Sequence, residues 1–296
     1  MCSSTVANTC SVVKARTLPR VEVRFAKRSL ALGGPPRIMA IVNVTPDSFY
    51  DRGLTADPAA AVERGLALVA AGADLLDIGG MTAQPGEPIP AGAEIDRVVP
   101  VVESLRRATD VPIAVDTYRA AVAAAALAAG ADIVNDHTGL SDPDLAAAVA
   151  AHGGGLVVTH LGIEPKQAQD GRYSVPFESI AAHLADRADA ALAAGIRRDA
   201  LLVDPGLGFG KDTATDLETL RRLPELRALG YPVLLAPSHK EVTAEPLGLP
   251  EDALEGTAGV VAVAAYLGVD VLRLHDLPFM ARVARMAALI RASGRD

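Results

Sequence analysis

Tryptophan is absent from this chain, and aromatic residues make up only 3% of it. A core of large rings is therefore excluded, although half of all residues are hydrophobic. Such a core is built from Ala, Val, Leu and Ile, as in folds where buried strands alternate with helices. Cysteine is nearly missing as well. Cys2 and Cys10 are the two present, both within the first ten residues. They cannot staple a core or build a Cys-rich zinc site, and a reducing cytoplasm is the natural setting. The formal net charge is −8, which argues against the basic footprint of a nucleic-acid binder. No apolar run approaches the 18 or so residues of a membrane span, so no membrane partner is expected. The longest candidate, Ala120 to Ala131, is about 12 residues and mostly Ala. No signal-peptide core, nucleophile elbow, H-E-x-x-H or Walker P-loop is present.

What is present is a recurring local pattern. Gly72, Gly130 and Gly268 each end an Ala-rich segment. Each is followed by a short apolar run that closes on a polar residue, and Gly195 opens a related turn before Leu201. Glycine suits the left-handed position that closes a helix. The runs are too short for helices and read as buried parallel strands. Eight occur, near 38–43, 74–79, 112–116, 132–136, 155–160, 201–204, 232–236 and 270–275, with helical segments between them. Asp57-Pro58 and Asp142-Pro143 resemble helix starts, an acid followed by Pro at the first helical position. Eight strands alternating with eight helices predict an α/β fold, a (β/α)8 barrel, with a doubly wound open sheet as the alternative. Alternating residues in 21–25 and 29–32 predict a small hairpin that plugs the bottom of the barrel. The division expected is a disordered tail over 1–19 and a barrel with its hairpin over 20–296. The tail is rich in Ser, Thr and basic residues, with no acid before Glu22, so a transit peptide is the other reading.

Barrel chemistry sits where strands hand over to loops at their C-terminal ends. The polar residues there are Asn43, Asp77, Asp116, Asn135 with Asp136, His160, Asp204, Ser238 with Lys240, and Arg273 with His275. A lone Asp at a strand end is about as often a loop or helix cap as anything else, but a ring of them is harder to explain so. Asp116, Asn135, Asp204 and Lys240 offer the acceptors and donors that read a flat heterocycle. Asn43, Arg273 and His275 suit a phosphorylated leaving group, with Mg²⁺ helping to neutralise it. Gly206 to Lys211 reads either as a phosphate loop without Walker spacing or as a tight loop after the sixth strand.

Several motifs, in order, resemble the dihydropteroate synthase family. They are Asn43-Val44-Thr45-Pro46-Asp47-Ser48-Phe49, Asp77-Ile78-Gly79-Gly80 with Pro85-Gly86, Val115-Asp116-Thr117-Tyr118, Val134-Asn135-Asp136, Asp204-Pro205-Gly206-Leu207-Gly208-Phe209-Gly210-Lys211, Ser238 with Lys240, and Arg273-Leu274-His275-Asp276. The resemblance runs from about residue 21 to the end. It implies a transferase that displaces pyrophosphate from a dihydropterin methyl diphosphate with the amine of 4-aminobenzoate, assisted by Mg²⁺, in a homodimer. It implies that Asp116, Asn135, Asp204 and Lys240 hold the pterin, with Asp116 and Lys240 closest to the chemistry. Asn43, Arg273 and His275 would hold pyrophosphate, and Asn43 the metal. Phe49 would belong to a mobile first loop over the second substrate. Phe209 would line the pterin pocket on that substrate's side, and Pro85, Ser238 and His239 would border the second substrate.

The departures cluster on one side. The family's second loop reads Glu-Ser-Thr-Arg-Pro-Gly, whereas this chain has Met81-Thr82-Ala83-Gln84-Pro85-Gly86. The seventh strand ends in Ser-Arg-Lys-Ser in the family and in Ser238-His239-Lys240-Glu241 here. The Asn expected after the glycine loop corresponds to Asp216. An intact pterin half beside an altered second-substrate half leaves two readings: a synthase, or a paralogue that keeps the pterin pocket without folate-pathway activity. Ala83 and Gln84 resemble divergent actinobacterial paralogues of the second kind. A pterin-dependent methyltransferase ranks lower, because it would not need Arg273 and His275.

Overall fold

A computed structural model describes residues 21–45, 57–82, 86–161 and 172–294. The hairpin β1 (Glu22–Arg24) and β2 (Ser29–Ala31) precedes eight parallel strands: β3 (Arg37–Asn43), β4 (Leu75–Gly79), β5 (Ile113–Asp116), β6 (Ile133–Asp136), β7 (Gly155–Thr159), β8 (Leu201–Asp204), β9 (Leu234–Leu235) and β10 (Val271–Leu274). They pair in the order β8-β7-β6-β5-β4-β3-β10-β9. A parallel bridge from Val203 to Val233 joins the two ends, which makes the sheet a barrel rather than an open doubly wound sheet. Helices α1 (Pro58–Ala70), α2 (Ala91–Ala108), α3 (Ala120–Ala129), α4 (Leu145–Ala151) and α5 (Phe177–Ala193) fill the first five connections. The later ones hold α6 (Thr213–Arg221) with α7 (Leu223–Arg227), then α8 (Glu241–Ala244) with α9 (Leu254–Leu267), and α10 (Phe279–Ala292) closes the chain. The residues expected to form the tail, 1–19, lie outside the described residues. Among the described residues no helix is long and apolar enough to cross a membrane.

Side chains alternate across a strand, so each strand has an inward and an outward set. The outward residues of β3, Ile38, Ala40 and Val42, join a large cluster with the helices. The inward set forms a separate cluster containing one residue from every barrel strand: Met39, Leu75, Ala114, Ile133, Val157, Leu202, Leu234 and Val271. Val23, Phe25, Leu30 and Leu32 of the hairpin segment complete it, so the hairpin plugs the barrel floor as expected. Gly155 makes room for this plug, since a Cβ there would stand 2.7 Å from the Phe25 ring.

The Gly-x-Asp repeat has a single structural purpose. Gly72, Gly130 and Gly268 take positive φ at helix ends. The Asp two residues on then binds a backbone N–H at the start of a neighbouring strand and an arginine. Asp74 accepts from Ile38 N and Arg37, Asp132 from Ile113 N and Arg106, and Asp270 from Val233 N and Arg227. These charge-assisted bonds set strand register at the end of the barrel away from the polar mouth. Of the two expected helix starts, Asp57 caps α1 through Ala60 N. Asp142 does not open the helix that follows it. Its Oδ2 accepts from Ala120 N, capping α3, while its Oδ1 accepts from Asp144 N in the turn before α4, which begins at Leu145.

Candidate active site

Moving two residues along from the floor cluster brings the inward positions to polar residues on β4, β5, β6, β7, β8 and β10, and to Ile41 and Ala236 on β3 and β9. Asp77, Asp116, Asn135, Asp204 and Arg273 occupy this level, and Asn43 sits at the rim on β3. Arg273 links two carboxylates, donating from Nε to Asp77 Oδ2 at 2.5 Å and from Nη2 to Asp116 Oδ2 at 2.8 Å. Asn135 Nδ2 also donates to Asp77 Oδ2, at 3.0 Å. Asp77 is fully buried, and its other oxygen has no hydrogen-bond partner among the described residues. Burial raises its pKa, and the Arg273 charge opposes that rise. Burial would raise Asp116 too, but His137, Arg273 and Lys240 outweigh it and hold Asp116 below the ordinary carboxylate value.

The loop after β8 supplies the opposite wall. Gly206, Gly208 and Gly210 all take positive φ. A Cβ on Gly206 would stand 2.2 Å from His160 O, and one on Gly208 would stand 2.9 Å from Lys240 Cδ. The glycines thus serve close packing, which favours the tight-loop reading of this segment. Asp216 accepts from Gly208 N at 2.7 Å and Asp204 from Gly206 N at 2.7 Å, so both acids brace the loop. Lys240 donates from Nζ to Leu207 O and lies 4.5 Å from the centre of the Phe209 ring. Burial pushes Lys240 down to about 8 against the pull of Asp204 and Asp216. Asp204 is pushed up by burial against Lys240. Beneath the loop, buried Lys211 reaches Phe209 O at 3.2 Å and His160 Nδ1 at 3.3 Å. It lowers the pKa of His160, already depressed by burial, to about 3.

The strand-end positions expected from sequence therefore divide. Asn43, Asp116, Asn135, Asp204, Lys240, Phe209 and Arg273 gather at the mouth. Ser238 Oγ accepts from His275 N at 3.3 Å, tying the ends of β9 and β10 together. Two members of the ring face the other way. Asp136 is on the outward register of β6, where it caps its own loop through Thr138 N, Thr138 Oγ1 and Leu140 N. His160 packs against His183, with ring centres 4.9 Å apart. His239 Nε2 lies 2.7 Å from Asp276 Oδ2, and this contact raises the His239 pKa. Phe49, Ala83, Gln84 and Pro85 lie outside the described residues. His137 went unnoticed in the sequence, although it stands two residues after Asn135 and so shares its inward parity. Its Nδ1 lies 2.8 Å from Asp116 Oδ1.

The model of the pterin binding enzyme family matches residues 39–275, which span every residue of this polar mouth. The chain belongs to the dihydropteroate synthase family. Its relatives include a protein named inactive dihydropteroate synthase 2 from Mycobacterium tuberculosis, 43% identical over 86% of this chain and 82% of that one. The dihydropteroate synthase of Bacillus subtilis is 36% identical over 91% of this chain and 94% of its own. Among solved structures, the Xanthomonas albilineans dihydropteroate synthase with 4-aminobenzoic acid superposes with a TM-score of 0.83 at 40% identity, covering 93% of this chain and 99% of that one. Family members thus include both a protein named inactive and proteins named as synthases, and the mouth residues are what this chain brings to that division.

Proposed function

We propose that the barrel mouth binds a dihydropterin methyl diphosphate and transfers its pterin-methyl group to an arylamine of the 4-aminobenzoate kind, releasing pyrophosphate. The observation that carries this reading is the single inward level of Asp77, Asp116, Asn135, Asp204 and Arg273, faced by Lys240. Asp204 and Asn135 present acceptors and an amide to the amino and ring N–H groups of a pterin. Lys240 presents a donor to its carbonyl. Asp116 supplies negative charge close to where the ring becomes cationic as the C–O bond breaks, and charge placed in advance needs no reorganisation. The C–O bonding electrons leave with the diphosphate. The amine lone pair forms the new C–N bond, and the amine proton passes to diphosphate or water. Arg273 of that level, His275 two residues on and Asn43 at the rim are the residues that meet the diphosphate.

Mg²⁺ is part of this reading, and the residues fit it in a limited way. Among the described residues no group of three or more His, Cys, Asp or Glu side chains could cage a metal. Asn43 Oδ1 stands beside Gly79, where a Cβ would come within 3.3 Å of it. One amide oxygen suits Mg²⁺, which binds through few protein ligands and completes its shell with phosphate and water. When bound, the ion neutralises the departing diphosphate. A homodimer is also part of the reading. It is supported by exposed Val263 and Tyr266 on α9 and Met286, Leu289 and Ile290 on α10. The scarcity of cysteine supports a cytoplasmic setting.

One observation favours a second reading, a pterin-binding paralogue without folate-pathway activity. His239 replaces the family's Arg and is tied to Asp276, and Ala83 and Gln84 replace the Thr and Arg of the second loop. Losing an Arg–phosphate contact costs roughly 1.5–3 kcal/mol. Chromatography of products from dihydropterin methyl diphosphate, 4-aminobenzoate and Mg²⁺ separates the two. Dihydropteroate supports the synthase. Measurable pterin binding with no dihydropteroate supports the paralogue.

A further inference from the structure

The imidazole of His137 lines the polar mouth beside Asp116, and no step of the transfer uses it. Its Nδ1 meets Asp116 Oδ1 at 2.8 Å, while Arg273 occupies Asp116 Oδ2 at 2.8 Å. Because an ionised carboxylate only accepts, Nδ1 carries the proton in this contact. The ring is fixed on two further sides. It stacks on Phe209 with centres 6.2 Å apart and planes 18° apart, and Tyr118 meets it edge-on at 5.8 Å. With Arg273 already on one oxygen, a charged His137 neutralises the carboxylate a second time. A neutral His137 leaves Asp116 with net negative character toward the substrate.

We propose that His137 is a positioning residue for Asp116, whose Nδ1–H orients the carboxylate and whose charge state sets how strongly that carboxylate can engage a pterin. This rests on the pterin-binding reading of the mouth. Asp116 from β5 and Asp136 from β6 favour the charged imidazole, Glu94 of α2 interacts with it electrostatically, and Arg273 of β10 opposes its charge. Lys240 reaches the same Phe209 ring on which His137 stacks. Burial would lower the His137 pKa, but the Asp116 contact outweighs this and raises it above the usual histidine value. A pterin that draws on Asp116 loosens that contact and lowers the imidazole pKa. Binding therefore expels a proton and tightens as pH rises, by about tenfold for each unit of lowering.

The test titrates 6-hydroxymethyl-7,8-dihydropterin into the full-length protein between pH 6 and 9. The same ligand is used for every variant and Lys240 is present in each, so the ionisations of both cancel in ratios to wild type. The wild-type affinity divided by that of His137→Asn, which keeps a donor beside Asp116 without a charge, is expected to rise with pH to a plateau near one. Divided by that of His137→Leu, it should rise in the same way to a plateau several-fold above one, because the carboxylate there loses its orienting donor. Proton NMR of the imidazole should show its pKa falling towards the ordinary value in Asp116→Asn, independently of ligand. A wild-type to His137→Asn affinity ratio that does not change with pH, or an imidazole indifferent to Asp116→Asn, overturns the inference alone. Absence of pterin binding at every pH overturns the pocket assignment and the inference with it.

Discussion

Replacing Arg273 by Met leaves Asp77 as the exposed weakness of the site. Asp116 keeps His137, but Asp77 keeps only the Asn135 amide, and it is fully buried. Removing one member of a buried ion pair costs roughly 3–5 kcal/mol. The carboxylate has an escape that sets a ceiling: it can take up a proton. At pH 7 that costs an Asp about 4 kcal/mol, and at pH 5 about 1.5 kcal/mol. The sign follows from linkage. The orphaned group has a folded pKa above its unfolded value, so the loss grows as pH rises beyond the unfolded value. For 296 residues the unfolding entropy is about 0.6 kcal/mol/K, so the expected drop in Tm is about 5–7 °C at pH 7 and about 2 °C at pH 5. With no Trp in the chain, far-UV circular dichroism is the assay. The double variant Arg273→Met/Asp77→Asn removes the orphaned charge and should recover most of the loss at pH 7. A single variant melting within 1 °C of wild type at pH 7, or losing equally at both pH values, would refute the buried-charge reasoning.

Three more perturbations separate the site from its scaffold. Gly208→Ala places a Cβ at φ +72°, 2.9 Å from Lys240 Cδ. A left-handed non-glycine residue costs roughly 1–2 kcal/mol, so Tm should fall by a few degrees, while calorimetry should show pterin affinity falling at least about tenfold as Lys240 shifts. Phe25→Ala empties the barrel plug and should cost roughly 3–5 kcal/mol of stability by denaturant titration. Its pterin affinity should stay unchanged, because the floor lies below the polar level. Ile290→Asp puts a charge into the exposed apolar face of α10, and light scattering after size exclusion should find dimer for wild type and monomer for the variant.

The architecture was readable because both of its signals are local. Short apolar runs after helix-closing glycines mark parallel strands, and the alternation in 21–32 marks the hairpin. Five of the expected site residues (Asn43, Asp116, Asn135, Asp204 and Arg273) gather at the mouth for the same reason, and Phe209 and Lys240 reach it from the loops that follow. Strand ends are where inward side chains meet solvent. What failed was parity. Asp136 and His160 were grouped with the ring, although each is one residue out of step with an inward neighbour, Asn135 and Thr159. Counting by twos from the floor cluster removes both, and it brings Asp77 to the centre and points on to His137. The Asp142 cap was illegible for another reason: the amide it binds, on Ala120, is distant in sequence. The same holds for the pairing of His239 with Asp276, which no spacing rule connects.

The central claim, that the mouth binds a dihydropterin methyl diphosphate and breaks its C–O bond, is tested most directly by pyrophosphate release. Wild type supplied with the diphosphate, 4-aminobenzoate and Mg²⁺ should release pyrophosphate in step with pterin consumed. Asp116→Ala should release about a hundredfold less, the scale on which one well-placed charge-stabilising group acts. No release above the uncatalysed rate, or release undiminished in Asp116→Ala, would contradict the account.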